Sequence, residues 1–234
     1  MNENQLSKRL ERAGELVPFG SRLADIGSDH AYLPVALMLQ GKIEFAVAGE
    51  VVQGPYQSAE KQVRKNGLSE KIIVRLADGL DAVLAEDHIN AVSICGMGGT
   101  LIRDILEKGR VTGHLNGQEV LILQPNVGEQ VLRQWLTAQG YTILAEDILE
   151  ENQKIYEIIC AEKKEVLADY SEEELMFGPL LLQKKGAVFI KKWQREVNQR
   201  KNVVEQLNKS KVNQQEKIAD LEKEINAIEE VLKS

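Results

Sequence analysis

Two β-rich segments, residues 141–149 and 154–162, are joined by only Glu150-Glu151-Asn152-Gln153. A parallel pair needs a crossover of a dozen or more residues, so these strands must run antiparallel. Upstream the pattern is different. Short apolar runs at 22–27, 43–49, 72–76, 91–95 and 119–123 alternate with amphipathic stretches at 33–40, 55–66, 100–108 and 127–139, after an opening helix at 4–16. That alternation signals parallel strands covered by helices on both faces. Five parallel strands and then an antiparallel pair predict an α/β fold, a seven-stranded sheet with one antiparallel strand.

Beyond residue 165 the character changes, which predicts a sheet domain over 1–165 and a helical domain over 166–234. Ser171 followed by Glu172, Glu173 and Glu174 opens like a capped helix, with acids favoured at the positive end of the helix dipole. Gly178-Pro179 interrupts it. From 186 to 234 there is no proline and no glycine after Gly186. Trp193, Val197, Val204, Leu207, Ile218, Leu221, Ile225, Ile228 and Leu232 share one heptad register. A break at 208–213 predicts two helices folded into an antiparallel hairpin, a coiled coil. One continuous helix of a dimeric coiled coil is the alternative, and the expected state is a monomer or weak dimer.

Charge is unevenly spread. The chain carries a net −7, yet residues 184–217 hold ten basic and three acidic side chains, while 146–174 hold eleven acidic and three basic. A basic block on an acidic chain is either a polyanion-binding surface or a solvated helix face. No run approaches the ~18 apolar residues of a membrane span, and the polar first fifteen residues are not a signal peptide. Cys95 and Cys160 have no metal-ligand spacing, so neither a metal nor a disulfide is expected and a reducing cytoplasm is the default.

Sheets of this kind bind ligands beyond the carboxyl ends of their strands. The first strand ends in Asp25-Ile26-Gly27-Ser28-Asp29-His30, where a glycine allows a tight turn and close backbone approach. The second ends at Glu50, an acid placed to accept hydrogen bonds from ribose hydroxyls. Asp78-Gly79 follows the third strand, where a carboxylate can take a bond from an adenine amino group. Gly96-Met97-Gly98-Gly99 follows the fourth and Gln124-Pro125-Asn126 the fifth. Each feature alone also fits an ordinary turn. Together they put acid–glycine, acid, acid–glycine and glycine loop along one sheet edge.

That arrangement resembles a class I, S-adenosyl-L-methionine-dependent methyltransferase with a Rossmann-like sheet. More narrowly, residues 25–34 (DIGSDHAYLP), Gly49-Glu50-Val51, Ala77-Asp78-Gly79-Leu80, Gly96-Met97-Gly98-Gly99 and Gln124-Pro125-Asn126 resemble the bacterial tRNA (adenine-22 N1)-methyltransferase family. The resemblance spans the whole chain, since that family also carries a C-terminal helical hairpin. It implies S-adenosyl-L-methionine as cofactor and tRNA as partner. It places Asp25, Gly27, His30, Glu50, Val51, Asp78, Gly79, Gly96 and Met97 at the cofactor, and Pro125 and Asn126 at the substrate. The general methyltransferase pattern has further glycines where this chain has Asp29 and Ala31.

Several of these residues keep two readings. Asp29 faces the transferred methyl or the target base as the catalytic carboxylate, or it caps the helix near Tyr32. His30 contacts the cofactor's amino-acid end or caps that same helix. Met97 packs on adenine or fills core. Asn126 meets a base edge or forms a capping box with Glu129. Cys95 is a buried strand residue rather than a nucleophile. On the hairpin, Lys191, Lys192, Arg195 and Arg200, with Lys184, Lys185, Lys201, Lys209 and Lys211, are candidates for tRNA phosphates. A nicotinamide oxidoreductase would want G-x-G-x-x-G after the first strand, which Gly27-Ser28-Asp29-His30-Ala31-Tyr32 fails. A non-catalytic RNA-binding or coiled-coil scaffold remains the competing class.

Overall fold

The computed structural model describes residues 6–209 and 214–233. They form two compact units that divide between Leu180 and Leu181. In the first, helices α1 (Lys8–Leu16), α2 (Tyr32–Leu39), α3 (Gln53–Lys65), α4 (Gly99–Thr112) and α5 (Glu129–Ala138) alternate with strands β1 (Ser21–Ile26), β2 (Ile43–Glu50), β3 (Ile72–Leu76), β4 (Ala91–Met97) and β5 (Val120–Pro125). Strands β6 (Tyr141–Glu151) and β7 (Lys154–Lys163) follow, then α6 (Glu172–Phe177); α7 (Pro179–Lys184) crosses the division. The sheet order is β3-β2-β1-β4-β5-β7-β6. Every neighbouring pair is parallel except those of β7, which runs against both β5 and β6. The expected single antiparallel strand is therefore β7.

Strand side chains alternate between two cores. Ala24, Ile26, Val92, Ile94, Leu121 and Leu123 face Ile102, Leu106, Leu132 and Leu136 of α4 and α5. Leu23, Ala46, Ala48 and Ile122 face Ala13, Val17, Leu33, Leu37 and Val63 of α1, α2 and α3. The periodic core positions set most helix limits. α4 runs further than expected, to Thr112, because Gly109 packs against Leu80 and the left-handed glycine that stops the helix is Gly113 (φ 80°).

The first unit extends past the change in sequence character at residue 165 for a specific reason. Arg133, on α5, is completely buried. Its Nε donates to Glu146 Oε1 (2.7 Å), its Nη2 to Glu157 Oε2 (2.5 Å), and its Nη1 reaches the Leu175 and Met176 carbonyls (3.5 Å each). Glu146 Oε2 accepts the Leu180 N–H at 2.9 Å. This cluster clasps α6, itself started by a Ser171–Glu174 capping box, onto the β6–β7 pair. Gly178 fits because a Cβ there would lie 2.7–2.9 Å from Arg133 and Glu146 atoms.

The second unit contains α8 (Ala187–Asn208) and α9 (Gln215–Lys233). They lie antiparallel: Lys185 Nζ donates to the Val231 carbonyl (3.1 Å), and Arg200 reaches back to Glu224 (2.8 Å). This is the hairpin rather than one continuous helix. Phe189, Trp193, Val197, Ile225, Ile228 and Val231 are buried. At the last turn Val231, not Leu232, occupies the seam, the drift expected when a heptad repeat meets 3.6 residues per turn. The hairpin turn and Lys211 lie outside the described residues.

Removing Arg133 strands two buried carboxylates. Arg133→Ala is expected to cost about 3–5 kcal/mol in urea denaturation; a loss below about 1 kcal/mol would show that the cluster is not desolvated as its geometry implies.

Candidate active site

The carboxyl ends of β1, β2, β4 and β5 converge on one edge. At the end of β1, Asp25 is buried and accepts hydroxyl protons from Ser28 (2.5 Å) and Ser93 (2.6 Å). Burial nevertheless pushes its carboxyl above the ordinary range, against the two hydroxyl hydrogen bonds. Asp25 thus anchors the loop from beneath. Gly27 turns with φ 69°, and a Cβ there would collide with Met97 Cε. Then Asp29, His30 and Ala31 all adopt left-handed φ, at 42°, 68° and 56°. Such residues normally occur singly, at a cost of about 1–2 kcal/mol each. The cap residue of α2 is Ala31, with no side-chain cap. Neither Asp29 nor His30 caps that helix, so this reading of both is overturned. The Asp29 side chain is 69% exposed at the open edge, and His30 stacks on Tyr32 (centroids 5.3 Å).

Glu50 ends β2 and is only 6% exposed. The Asp29 backbone N–H donates to its carboxylate, yet Oε1 is buried with no partner among the described residues. Desolvation, with the nearby Asp25 and Asp29 charges, raises its carboxyl above the usual range. A buried acceptor without a donor is expensive unless a ligand hydroxyl completes it. Val51, next along, is 62% exposed. After β3, Asp78 stands out in solvent and shares Lys108 Nζ with Asp81, both at 2.8 Å. Gly79 (φ 60°) packs its backbone on Ile105.

The β4 and β5 loops are tied together. Gln124 Oε1 accepts from Arg9 Nη1 (2.5 Å) and the Gly96 N–H (3.1 Å). The Gln124 amide donates to the Pro125 carbonyl (2.8 Å) and Asn126 Oδ1 (3.2 Å), while Asn126 Nδ2 donates to the Gly96 carbonyl (2.7 Å). α5 begins at Glu129 after Gly128, with no side-chain cap. The Asn126–Glu129 capping box is therefore overturned, and Asn126 clasps the two loops instead. Pro125 is buried opposite Met97. Desolvation pushes the Cys95 thiol well up, which favours its protonated form.

A cavity of about 270 Å³ gathers Asp25, Gly27, Asp29, Gly96 and Met97 from the expected set, and adds Arg9 and Ser28. Glu50 adjoins it through Asp29; Asp78 and Gly79 lie further along the edge. Arg9 was not evident in the sequence, because only the packing of α1 on the sheet brings it to Gly96, where a Cβ would sit 3.1 Å from Nη1. A larger cavity of about 550 Å³, lined by His88, Asn90, His114 and Glu119 among others, opens at the amino-terminal edge of β4 and β5, away from these loops. In the second unit, Arg200 is ion-paired with Glu196 and Glu224, and Lys201 with Glu229. Lys192 lies over the Trp193 ring (5.3 Å).

A sheet of this order with one reversed strand, and acids and glycines at the ends of β1 and β2, defines a class I methyltransferase fold. Within that class the chain belongs to the tRNA (adenine(22)-N(1))-methyltransferase family, whose model matches residues 23–230. It is 42% identical to the Bacillus subtilis protein named tRNA (adenine(22)-N(1))-methyltransferase, over 99% of both chains. A Streptococcus pneumoniae structure in complex with S-adenosyl-L-methionine is 46% identical, with a TM-score of 0.88 over 97% of this chain and 100% of that one. The M. capricolum TrmK structure, in complex with S-adenosyl-homocysteine, is 28% identical, with a TM-score of 0.85 over 97% and 98%.

The Glu50 carboxyl, raised by burial, stabilises the ligand-free fold only when protonated. That contribution is complete below the ordinary glutamate value and is lost as pH rises through the raised one. Glu50→Gln is thus expected to melt about 2–4 °C higher than wild type at pH 7 without ligand, roughly 1 kcal/mol. The difference should shrink on acidification; scanning calorimetry against pH checks both.

Proposed function

We propose that this chain transfers the methyl group of S-adenosyl-L-methionine to N1 of adenine-22 in tRNA, with the residues above in definite roles. One observation supports this most: the buried, partnerless Glu50 Oε1 beside the Gly27 turn, suited to a ribose hydroxyl. Gly27 leaves room for the cofactor backbone, Val51 and Met97 offer apolar faces to adenine, and Asp78 and Gly79 border it. Asp78 keeps Oδ1 for the adenine amino group while Lys108 holds Oδ2. At the other end Arg9, the cation lining the cavity, suits the cofactor's carboxylate, with Asp25 fixing the loop and His30 flanking it.

When bound, the cofactor supplies a methyl group on a positively charged sulfonium. Adenine N1 already carries a lone pair at neutral pH, so the chain need not remove a proton. Its task is in-line positioning and stabilisation of the positive charge arriving on the base. Asp29, exposed at the cavity mouth and held by a left-handed backbone, orients the exocyclic amino group and balances that charge. The Gly96–Gln124–Asn126 network, with Pro125, shapes the acceptor side. N1 lies on the pairing edge, so the nucleotide must leave its stack. Phosphate contacts on the helical unit help there, with Lys191, Lys192, Arg195 and Arg200 as the candidates. No described helix is long and apolar enough to cross a membrane. The enzyme acts in the cytoplasm, as a monomer or weak dimer, and transfer needs no metal. A scaffold without catalysis would leave the Glu50 arrangement without a use.

Incubation with unmodified tRNA and labelled cofactor should place label on adenine-22 and none on tRNA carrying guanine there. Asp29→Asn, which tolerates the left-handed backbone, should lower kcat about 100-fold while leaving the cofactor Kd unchanged; a normal rate removes Asp29 from catalysis. Replacing Lys191, Lys192 and Arg195 with alanine should weaken tRNA binding and flatten its logarithmic salt dependence by about 1 for each phosphate interaction removed, as filter binding at several salt concentrations would show.

A further inference from the structure

Because β7 runs antiparallel to β5, with Leu123 opposite Ile159, the chain beyond Leu123 on β5 lies toward Tyr156 on β7. The β6–β7 turn therefore projects past the carboxyl edge of the sheet, on the side of the candidate site. α1 pins it there: the Lys8 N–H donates to Glu151 Oε1 at 2.9 Å, and Arg12 pairs with Asp147. A second cavity, of about 370 Å³, opens between this turn and the β5 loop, lined by Asn126, Lys154, Ile155 and Tyr156. Its size falls within the range of about 300–1,000 Å³ typical of small-molecule sites. It lies next to the candidate cofactor cavity, to which two contacts connect it. Arg9 lines the latter and stands 5.6 Å from the Tyr156 ring centroid, and Asn126 is bonded to Gly96, which also lines it.

We infer that this second cavity is the acceptor-base subsite and that Tyr156 is the platform on which the extruded adenine stacks. The inference rests on the function proposed above and identifies where the base lies. An unstacked base needs an aromatic face to replace its lost neighbours. Tyr156 is half-buried and its ring is oriented by the Arg9 guanidinium, so little ordering remains when the base arrives. Lys154, exposed at the rim, is placed for the phosphate flanking that nucleotide. Asn126 and Gln124 hold the Gly96 loop between base and cofactor, which sets the direction of approach.

Tyr156→Ala should lower kcat/KM for tRNA about 10- to 100-fold, the loss expected for one stacked base. Its cofactor Kd and melting temperature should match wild type. Tyr156→Phe keeps the ring and should stay within about threefold of wild type; should the alanine variant misfold, Tyr156→Leu replaces it. In tRNA with 2-aminopurine at position 22, fluorescence should be quenched in the wild-type and Tyr156→Phe complexes and brighter with Tyr156→Ala. Wild-type turnover by the alanine variant, equal losses in the alanine and phenylalanine variants, or equal fluorescence in all complexes overturns the subsite. Failure of the wild-type enzyme to methylate adenine-22 would instead overturn the functional reading, and the fluorescence comparison would still decide whether Tyr156 stacks on that base.

Discussion

Asp25, held between the Ser28 and Ser93 hydroxyls, is the residue on which the site depends. The loop above it contains three successive non-glycine residues in the left-handed region. A free chain would relax such a turn, since each residue is strained by about 1–2 kcal/mol. Here Ser28 is tied downward to Asp25, and the Gly27 and Ser28 N–H groups both donate to the Gly49 carbonyl. With the start of the bend fixed, the Asp29 N–H points at Glu50 and its carboxylate is left at the cavity mouth. Strain concentrated at one loop and offset by contacts beneath it is how active sites commonly store pre-organisation.

Glu50 shows the same exchange in electrostatic form. A buried carboxylate with one satisfied and one unsatisfied oxygen destabilises the empty fold, and the acids around it add to that cost. A ligand hydroxyl that donated the missing bond would recover desolvation energy already spent during folding, so that part of the affinity would come from relief rather than from new interactions.

Much of this was legible in the sequence. The β6–β7 hairpin followed from a connection too short to cross over, and the parallel strands from apolar runs that stand apart from their helices. Glycines at 27, 79 and 96 could be placed because positive φ leaves few alternatives to glycine. Arg9 was not legible: its spacing on α1 is that of any helical arginine, and only the packing of that helix brings it to Gly96. Nor was Asn126, whose apparent capping box dissolves because α5 starts three residues later, at Glu129. The basic hairpin was only partly legible. Counting lysines and arginines does not reveal that Arg200 is neutralised by glutamates on both helices. The division after Leu180 was hidden for a related reason, since the buried Arg133–Glu146 pair that holds residues 175–180 forms only on folding.

The reversal of β7 links these features. In a wholly parallel sheet every strand would bring only its carboxyl end to the functional edge. β7 brings its amino end instead, so Tyr156 lies near the site before the strand descends through Ile158, Ile159 and Cys160 into the core. The same antiparallel pairing sets Glu157 of β7 across from Ile148 of β6, near enough to Glu146 for one arginine to bridge both carboxylates. A parallel final strand would need a long crossover in place of the two-residue turn at Asn152-Gln153, where both residues take left-handed φ. That crossover would lengthen the chain between Glu146 and Glu157 and remove the projecting turn. One change of strand direction therefore supports both the clasp that closes the first unit and the placement of Tyr156 beside the candidate site.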